Sequence, residues 1–326
     1  MMKKILSMLL ALMMLCTLTP FAMAEATAEW TDEELEHIDE ALNDDASTTE
    51  LRQEFRYNVA DGDYSITEGL NEDVMNILLL GTDNAGTKGH GRTDTMIICS
   101  VNTKTGEVKL SSIVRDLYVS IPYMKLQNRI NTANAFGGPN MAIKCVNETF
   151  GLNISRYASI NFAGFKDLVD MLGGVELEIT GGEAELININ ARTSGDAVSS
   201  GLQLLDGAQA LEYCRIRKLD NNFGRNERQR KFLEAVVKKV LAENSLDQLL
   251  ALVETCMDFV TTNLTTSDLF TLLFTVVPNM QELQMYSCPG QGEYHYETIR
   301  NMQVVVAKTE EMNTSLHAFI YGESAE

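Results

Sequence analysis

The sequence predicts an α/β fold in which helices pack on the faces of a layered sheet. From Val74 onward, apolar runs of strand length are mixed with segments of helical spacing. The first run, "MNILLLGTD", is continuously apolar and ends beside a glycine, which is typical of a strand buried on both faces. Mixed strands and helices of this kind pack as layers around one core.

The later segments follow the same alternation. Two further strands are predicted at "TDTMIICSVN" and "EVKLSSIV", joined by the turn "TKTGE". Helical spacing appears in "NMAIKCVNETFGL" and "FAGFKDLVDML", a strand in "GVELEIT", and a long amphipathic helix in "ERQRKFLEAVVKKVLAENS". With 326 residues and 45% hydrophobic content, the chain is long enough for one large domain, with or without an extension.

The amino terminus has the pattern of an export signal over residues 1–24. It begins with "MMKK", continues with the apolar stretch "ILSMLLALMMLCTL", and ends with "AMA", so the mature chain is expected to start at Glu25 outside the cytoplasm. The alternative is an uncleaved membrane anchor. Cleavage is favoured because Pro20 limits the apolar run to roughly 14 residues, whereas a span needs about 20.

The net charge of −20 is unevenly distributed. Residues 25–73 hold 17 Asp and Glu against two arginines, which predicts an acidic helical or linker extension; a partner-binding arm is the alternative. By contrast, residues 212–230 contain six basic side chains. A nucleic-acid partner is excluded because this basic patch is short, the whole chain is strongly acidic, and aromatic residues are sparse in the patch.

Five cysteines lie beyond the export signal, and their odd number leaves at least one thiol unpaired within the chain. One or two disulfides are permitted outside the cytoplasm, and no C-x-x-C spacing suggests a metal. The simplest interpretation is that each cysteine is a small buried hydrophobe. These residues are Cys99, Cys145, Cys214, Cys256 and Cys288.

The first polar cluster is "GTDNAGTKGHGRTD". Asp83 follows the first predicted strand, Asp94 begins the second, and Arg92 lies in the loop between them. Carboxylates at the ends of adjacent strands can share a hard cation such as Mg²⁺, which completes its shell with phosphate oxygens and water. The alternative is that both aspartates only cap turns.

The second cluster joins "SSIVRDLYV" and "NRINTANAFGGP". Arg115 and Asp116 at a strand end can form a local ion pair, or Arg115 can present its planar fork to a phosphate. Arg129, Asn131 and Asn134 can line the same site or satisfy the backbone of a loop.

The third cluster is "DGAQALEYCRIR". The first part predicts a short helix capped by Asp206, and "YCRIR" is expected to be extended. In an extended segment alternate side chains point to opposite sides. One side would then carry Tyr213, Arg215 and Arg217, and the other Cys214 and Ile216.

The following helix contributes Arg225, Arg228 and Gln229 at offsets of three and four. Side chains with these offsets lie together, here near a helix amino terminus, which favours anions. The arginines of both segments are therefore expected to converge on one anionic group.

Six blocks of the sequence, in this order, resemble the LytR-CpsA-Psr family of cell-wall ligases. They are "NILLLGTD...GRTDTMIICSVN", "SSIVRDLYV", "RINTANAFGGP", "NFAGFKDLVDMLGGVELEI", "LLDGAQALEYCRIR" and "NFGRNERQR". The resemblance runs from about Met75 to Leu241 and, more weakly, to about Pro289. It implies an LCP-like catalytic domain at residues 74–290 and a C-terminal extension at 291–326.

The resemblance implies a three-layer α-β-α sandwich with a central mixed sheet. It also implies that a hydrophobic tunnel holds the tail of a polyprenyl-pyrophosphate-linked glycopolymer. The glycopolymer, such as teichoic acid or capsule, is then transferred to peptidoglycan at the membrane surface. "FAGFKDLVDML" and the helix after Arg230 are candidates for the tunnel wall; the alternative is that they are ordinary core.

By motif, Asp83 and Asp94 resemble the ligands of Mg²⁺ or Mn²⁺, and Arg92 lies in the same loop. The same comparison implies that Asp83, Asp94, Arg92 and Arg115 are catalytic, with Asp94 either a general base or only a metal ligand. The implied pyrophosphate clamp consists of Arg115, Arg215, Arg217, Arg225 and Gln229.

The chain departs from the usual family pattern at Arg129, Thr132 and Asn222, none of them in the implied clamp. Two other functions stay open at this point. One is a secreted polyprenyl-pyrophosphate phosphatase, in which water replaces the acceptor hydroxyl. The other is a non-catalytic carrier of polyprenyl phosphate or wall glycan.

Overall fold

A computed structural model describes residues 57–83, 90–124, 126–191, 197–219, 222–241, 259–276, 279 and 283–322. The predicted export signal, residues 25–56 of the acidic extension, and Cys256 lie outside these ranges. Among the described helices, none combines the length and the apolar composition that crossing a bilayer requires.

The strands are β1 Val74–Thr82, β2 Thr93–Asn102, β3 Val108–Ile113, β4 Tyr118–Ile121, β5 Leu126–Arg129, β6 Arg156–Asn161, β7 Val175–Ile179, β8 Gly201–Leu205, β9 Val260–Thr262, β10 Gln284–Cys288, β11 Tyr294–Ile299 and β12 Met302–Ala307. The α-helices are α1 Thr132–Phe150, α2 Phe162–Met171, α3 Gly181–Asn190, α4 Gly207–Arg215, α5 Asn222–Leu241, α6 Thr266–Thr271 and α7 Thr309–Tyr321. A π-helical turn, Leu272–Val276, continues α6.

The central sheet is mixed and has the order β10-β3-β2-β1-β6-β9. Strand β1 is antiparallel to β2 and parallel to β6, and β3 is antiparallel to β2 and parallel to β10. The three strands expected first in the chain are all present. Because β1 has neighbours on both edges and helices over both faces, most of its residues are apolar, and the buried Asn76 is hydrogen-bonded to Ser100, Asn153 and Tyr321.

Helices cover both faces of this sheet. Leu78 and Leu80 of β1 face one core, which includes side chains of α1 and α7. Ile97 of β2 lies in a core on the other face, where Leu79 of β1 and Leu233 of α5 pack against it. The structure is therefore the α-β-α sandwich that was expected.

The first of these cores extends beyond both predicted domain boundaries. Val59 and Tyr64, which precede residue 74, belong to it, and so do Val305 and Leu316, which follow residue 290. The packed unit therefore includes residues on both sides of the predicted domain 74–290.

The expectation that "YCRIR" is extended was wrong for its first three residues. Helix α4 continues through Arg215, so Tyr213 and Cys214 are buried. Ala210, Tyr213 and Cys214 are spaced three and four apart, and this helical spacing places all three against the core. The chain becomes extended only at Ile216, with φ −54° and ψ 129°.

The long helix α5 also begins earlier than predicted, at Asn222 rather than Glu227. Arg225 therefore lies in its first turn. The early start places this arginine near the amino terminus of the helix, which is the end that favours anions.

The described cysteines carry free thiols and are buried or half-buried, as the simplest interpretation predicted. Burial raises the pKa of Cys145 to about 12. A thiol with so high a pKa is protonated and inert at neutral pH.

Candidate functional site

The site begins where β1 ends and β2 starts. The Asp83 amide donates to the Arg92 carbonyl at 3.1 Å, which joins the residue after β1 to the residue before β2. Asp83 and Asp94 therefore lie at the adjoining ends of paired strands, as the sequence predicted. Arg92 Nε lies 3.4 Å from Asp83 Oδ2.

Asp94 lies between two of the predicted clamp arginines. Its Oδ1 accepts a hydrogen bond from Arg115 Nη1, and Arg217 Nη2 is 3.9 Å from the same oxygen. The Arg217 side chain remains 42% exposed, so it is accessible to a ligand. Asp94 thus holds the guanidinium groups of Arg115 and Arg217 beside one another.

Asp116 is a second buried carboxylate that lies close to two arginines, and the sequence predicted only one of these two partners. Its Oδ1 lies 3.5 Å from Arg115 Nε, which is the predicted local pair. The same oxygen lies 3.6 Å from Arg129 Nε, a partner that was not predicted. The register of β4 and β5 sets Tyr118 opposite Arg129, and strands of four residues give too weak a sequence signal to predict that pairing.

Arg225 is a buried cation with open donors. The residue is 2% exposed, and its Nε and Nη2 have no hydrogen-bond partner among the described residues. Burial, and next the charge of Arg115, lower the pKa of Arg225 to about 10, while Asp94 and Asp116 oppose that shift. The side chain is still charged at neutral pH, so an anion that reached it would find a poorly solvated guanidinium.

Arg215 and Gln229 lie at the other edge of the cluster. Arg215 Nη1 pairs with Glu212 Oε1 at 3.1 Å, and its guanidinium lies 4.7 Å from the centre of the Phe162 ring. Gln229 Nε2 donates to the Cys214 carbonyl at 3.3 Å.

The expectation that Arg228 joins the same anion site was wrong. Arg228 Nη2 donates to the Ile216 carbonyl at 2.9 Å, and Nη1 lies 3.4 Å from Glu183 Oε1. Both contacts tie α5 to α3 and to the end of α4. The residue is buried and helps to hold the scaffold, because a helical offset of three alone does not decide which neighbour a long side chain meets.

An apolar cavity of about 250 Å³ opens between the sheet and the helices α2, α4 and α5. The lining of the cavity includes Asp94, Arg215 and Gln229. The cavity therefore adjoins the arginine cluster, which consists of Arg115, Arg215, Arg217 and Arg225. Segments predicted as candidates for a tunnel wall do line it. Its apolar lining includes Leu79, Ile97, Phe165, Leu168, Phe232 and Val236.

Oxygen atoms near the β1–β2 loop fit a hard cation. Asp83 Oδ1, Asn131 Oδ1 and Asn134 Oδ1 are buried without a hydrogen-bond partner among the described residues. Asn134 Nδ2 donates to the Gly91 carbonyl at 2.7 Å, which places this amide against the loop. The described part of the chain has no group of three or more His, Cys, Asp or Glu suited to a metal. A Mg²⁺ ion held by few carboxylates and by substrate phosphates requires no such group.

Residues 31–318 match the sequence profile of the LytR_cpsA_psr family. A relative from Enterococcus faecalis, a polyisoprenyl-teichoic acid–peptidoglycan teichoic acid transferase TagU, is 37% identical over 61% of this chain and 64% of its own length. The protein of the same name from Oceanobacillus iheyensis is 34% identical over 74% of each chain.

The fold is similar to those of solved structures. TagT bound to LIIa-WTA is 23% identical, with a TM-score of 0.65 over 81% of this chain and 99% of that one. TagV of Bacillus subtilis, also 23% identical, has a TM-score of 0.63 over 77% of this chain and 98% of its own. The match over most of the sequence, the shared fold and the ordered motifs lead to one conclusion: the chain belongs to the LytR-CpsA-Psr family.

Proposed function

We propose that this protein transfers a glycopolymer from a polyprenyl-pyrophosphate carrier to a hydroxyl of peptidoglycan and forms a phosphodiester. The observation that carries the proposal is the apolar cavity that adjoins a cluster of arginines. A ligand with a long hydrocarbon tail and an anionic head matches both parts. The two TagU relatives bear the name of teichoic acid transferases, which supports a teichoic acid as the glycopolymer.

The arginines bind the pyrophosphate head. Arg225 offers its open donors from the buried side, and Arg217 is accessible from solvent. Arg115, Arg215 and Gln229 complete the clamp. Planar guanidinium groups suit this task because each can donate two parallel hydrogen bonds to phosphate oxygens.

Asp83 would hold the Mg²⁺ ion, with Asp94 and the Asn131 and Asn134 carbonyl oxygens nearby. When bound, such an ion polarises the phosphate and offsets charge on the leaving group. Mn²⁺ prefers the same kind of oxygen ligands and is an alternative occupant.

In the proposed reaction the acceptor hydroxyl oxygen attacks the phosphorus that carries the glycopolymer. The bond from that phosphorus to the bridging oxygen breaks, and polyprenyl phosphate leaves with the electron pair. Arg115 and Arg217 stabilise the charge that develops, because Asp94 already holds both of them and Asp116 also holds Arg115. A carboxylate, Asp94 in our assignment, accepts the hydroxyl proton.

The substrates place the reaction outside the cytoplasm, at the outer surface of the membrane. Such a location agrees with the export signal predicted over residues 1–24. A donor with a prenyl tail is held in the bilayer, so the protein has to work at the membrane surface.

A transfer assay with purified protein tests this function. The chain from Glu25 is incubated with a labelled polyprenyl-pyrophosphate saccharide and Mg²⁺, with and without peptidoglycan fragments. We expect acceptor-dependent release of polyprenyl phosphate together with a glycan phosphodiester. Arg217→Ala should lose both products by at least about tenfold, because a charge-assisted hydrogen bond contributes about 1.5–3 kcal/mol.

The other outcomes identify the competing functions. Release of lipid phosphate at the same rate without acceptor would mean hydrolysis, as in a phosphatase. Binding without any release would mean a carrier. Either result overturns the transferase proposal.

A further inference from the structure

A β-hairpin formed by β11 and β12 lies directly beside the arginine cluster. The Val305 amide donates to the Asp116 carbonyl at 2.9 Å, and Arg300 Nη2 donates to the Gln127 carbonyl of β5 at 2.8 Å. These two bonds fix the hairpin against the segments that carry Asp116 and Arg129. Whatever the hairpin presents to solvent is therefore held at the edge of the candidate site.

Strand β11 of the hairpin carries two tyrosines, the exposed Tyr296 and the half-buried Tyr294, which packs against the main core. Tyr296 lies opposite Val305 in the register and is 51% exposed. Its ring meets that of Tyr294 edge to face, with centroids 5.6 Å apart and planes at 85°. Burial, then Tyr294, and further the charge of Asp116 raise the pKa of Tyr296, so its hydroxyl lies within electrostatic reach of the site.

A shallow depression lies between the segment that precedes β11 and helix α7. It has a volume of about 710 Å³ and is lined by polar side chains from the residues just before β11 and from α7: Gln291, Glu293, Glu310, Glu311, Thr314 and Ser315. Glu293 directly precedes Tyr294, and at the rise of an extended chain it lies roughly 10 Å from Tyr296. The depression therefore adjoins the tyrosine pair along the chain.

The chemistry of the tyrosine pair and of the depression suits sugar rings. The exposed Tyr296 ring offers a flat apolar face with a polar edge, and hydroxyl, amide and carboxylate groups around a concavity supply hydrogen bonds to a ligand. Glu311, which lines the depression, is paired with Lys308 at 3.2 Å.

We propose that Tyr294, Tyr296 and the adjoining depression form a saccharide subsite that binds the acceptor glycan strand. This inference rests on the transferase function proposed above and assigns the acceptor side of that reaction. The rings position the strand so that a sugar hydroxyl reaches the phosphate held by the arginines.

Acceptor kinetics test the subsite. Transfer is measured at saturating donor while the concentration of a peptidoglycan tetrasaccharide is varied, for the wild type and Tyr296→Ala. We expect the KM for the tetrasaccharide to rise about tenfold, equivalent to about 1.4 kcal/mol, because the aromatic face that a sugar ring would cover is lost. The KM for the lipid donor should stay within twofold, and Tyr296→Phe should restore acceptor binding because it keeps the ring.

His295→Ala is the matched control, because alternate residues of a strand point to opposite faces and His295 lies on the face opposite to Tyr296. The KM of this variant for the tetrasaccharide should not change. The subsite is overturned if Tyr296→Ala leaves that KM within twofold, or if it weakens donor and acceptor equally. Calorimetric titration of the tetrasaccharide without donor separates this test from the transferase proposal. Binding that is lost in Tyr296→Ala supports the subsite even where no transfer occurs, and equal binding by both proteins contradicts it.

Discussion

Arg225 and Arg228 are both buried on one helix, three residues apart, and have opposite roles. Arg228 is hydrogen-bonded to the Ile216 carbonyl and close to Glu183. Arg225 has two open donors and a pKa lowered to about 10 by burial and by Arg115. A buried charge that lacks some of its hydrogen-bond partners lowers the stability of the folded protein. A binding site retains such a charge because the ligand supplies the missing partners.

Arg225→Met should therefore stabilise the ligand-free protein by about 1 kcal/mol, because it removes a poorly solvated charge. It should also weaken pyrophosphate binding at least tenfold. Urea denaturation and calorimetric titration measure the two effects. The matched control is Arg228→Met, which leaves Glu183 buried without its partner and should destabilise by about 3 kcal/mol. A loss of stability in Arg225→Met as large as in this control would contradict the assignment.

Asp116 acts through the arginines that it holds. Asp116→Asn removes the charge that faces Arg115 and Arg129, so both guanidinium groups lose their common anchor. We expect the KM for the lipid donor to rise about tenfold, equivalent to about 1.4 kcal/mol, while the unfolding midpoint changes little. The control is Asp63→Asn, whose carboxylate pairs with Lys144 instead. An unchanged donor KM would show that Asp116 does not position the clamp.

At the scale of single elements, Asp268 links α6 to the central sheet. Its carboxylate caps the helix through Thr265 and accepts a hydrogen bond from Arg156 Nε of β6 at 2.7 Å. Burial alone would raise the pKa of Asp268, but the bonds from Arg156 and Thr265 outweigh it and the pKa is lowered. The carboxylate thus stabilises the fold in its charged form.

Asp268→Asn should destabilise the protein by about 1–2 kcal/mol at pH 7. Because the folded pKa is below the unfolded value of 3.8, this contribution is present above pH 3.8 and is lost as the pH falls through the folded pKa. Urea midpoints of both proteins, measured from pH 7 to pH 3, should therefore begin to converge once the pH falls below 3.8. A difference that stays constant with pH would argue against an ionised cap.

The elements show which parts of the fold a sequence can predict. Strands β1 to β3 were predicted because each is an apolar run bounded by turn residues, and their burial follows from that pattern. The predicted end of α4 was wrong because "YCRIR" also has the alternating pattern of a strand. Packing of Tyr213 against the core favours the helix instead. Local pattern gives no information on which of two compatible structures the tertiary contacts select.

The site shows the same limit. Asp83 and Asp94 were predicted together because consecutive antiparallel strands bring their shared loop to one edge. The contact of Asp116 with Arg129 depends on the pairing of two four-residue strands, and the orientation of Arg228 depends on Glu183, 45 residues away. Long-range partners of this kind are set by the assembled core.

At the scale of the whole molecule, the last helix belongs to the same core as the first strand. Leu316 of α7 is fully buried in the core that contains Leu78 of β1. Leu316→Ala should destabilise the protein by about 2–5 kcal/mol, through lost burial and the cavity left behind. Urea denaturation should show this as one shifted transition. A separate transition for the carboxyl-terminal part would contradict a common core.

The central claim is that one ligand occupies both the apolar cavity and the arginine cluster. Leu168 lines the cavity, so Leu168→Trp should fill part of the space for a prenyl tail without altering the arginines. Each buried CH₂ of the tail contributes about 0.8 kcal/mol, so a partly excluded tail costs a large share of the affinity. Leu168→Met, which nearly conserves the volume, is the control.

The most direct measurement is calorimetric titration of octaprenyl pyrophosphate and of inorganic pyrophosphate against these proteins. We predict that Leu168→Trp weakens the binding of octaprenyl pyrophosphate at least tenfold and leaves the binding of inorganic pyrophosphate unchanged. Leu168→Met should bind both ligands like the wild type. Equal affinity of Leu168→Trp and the wild type for octaprenyl pyrophosphate would contradict the claim, because the tail would then lie outside the cavity.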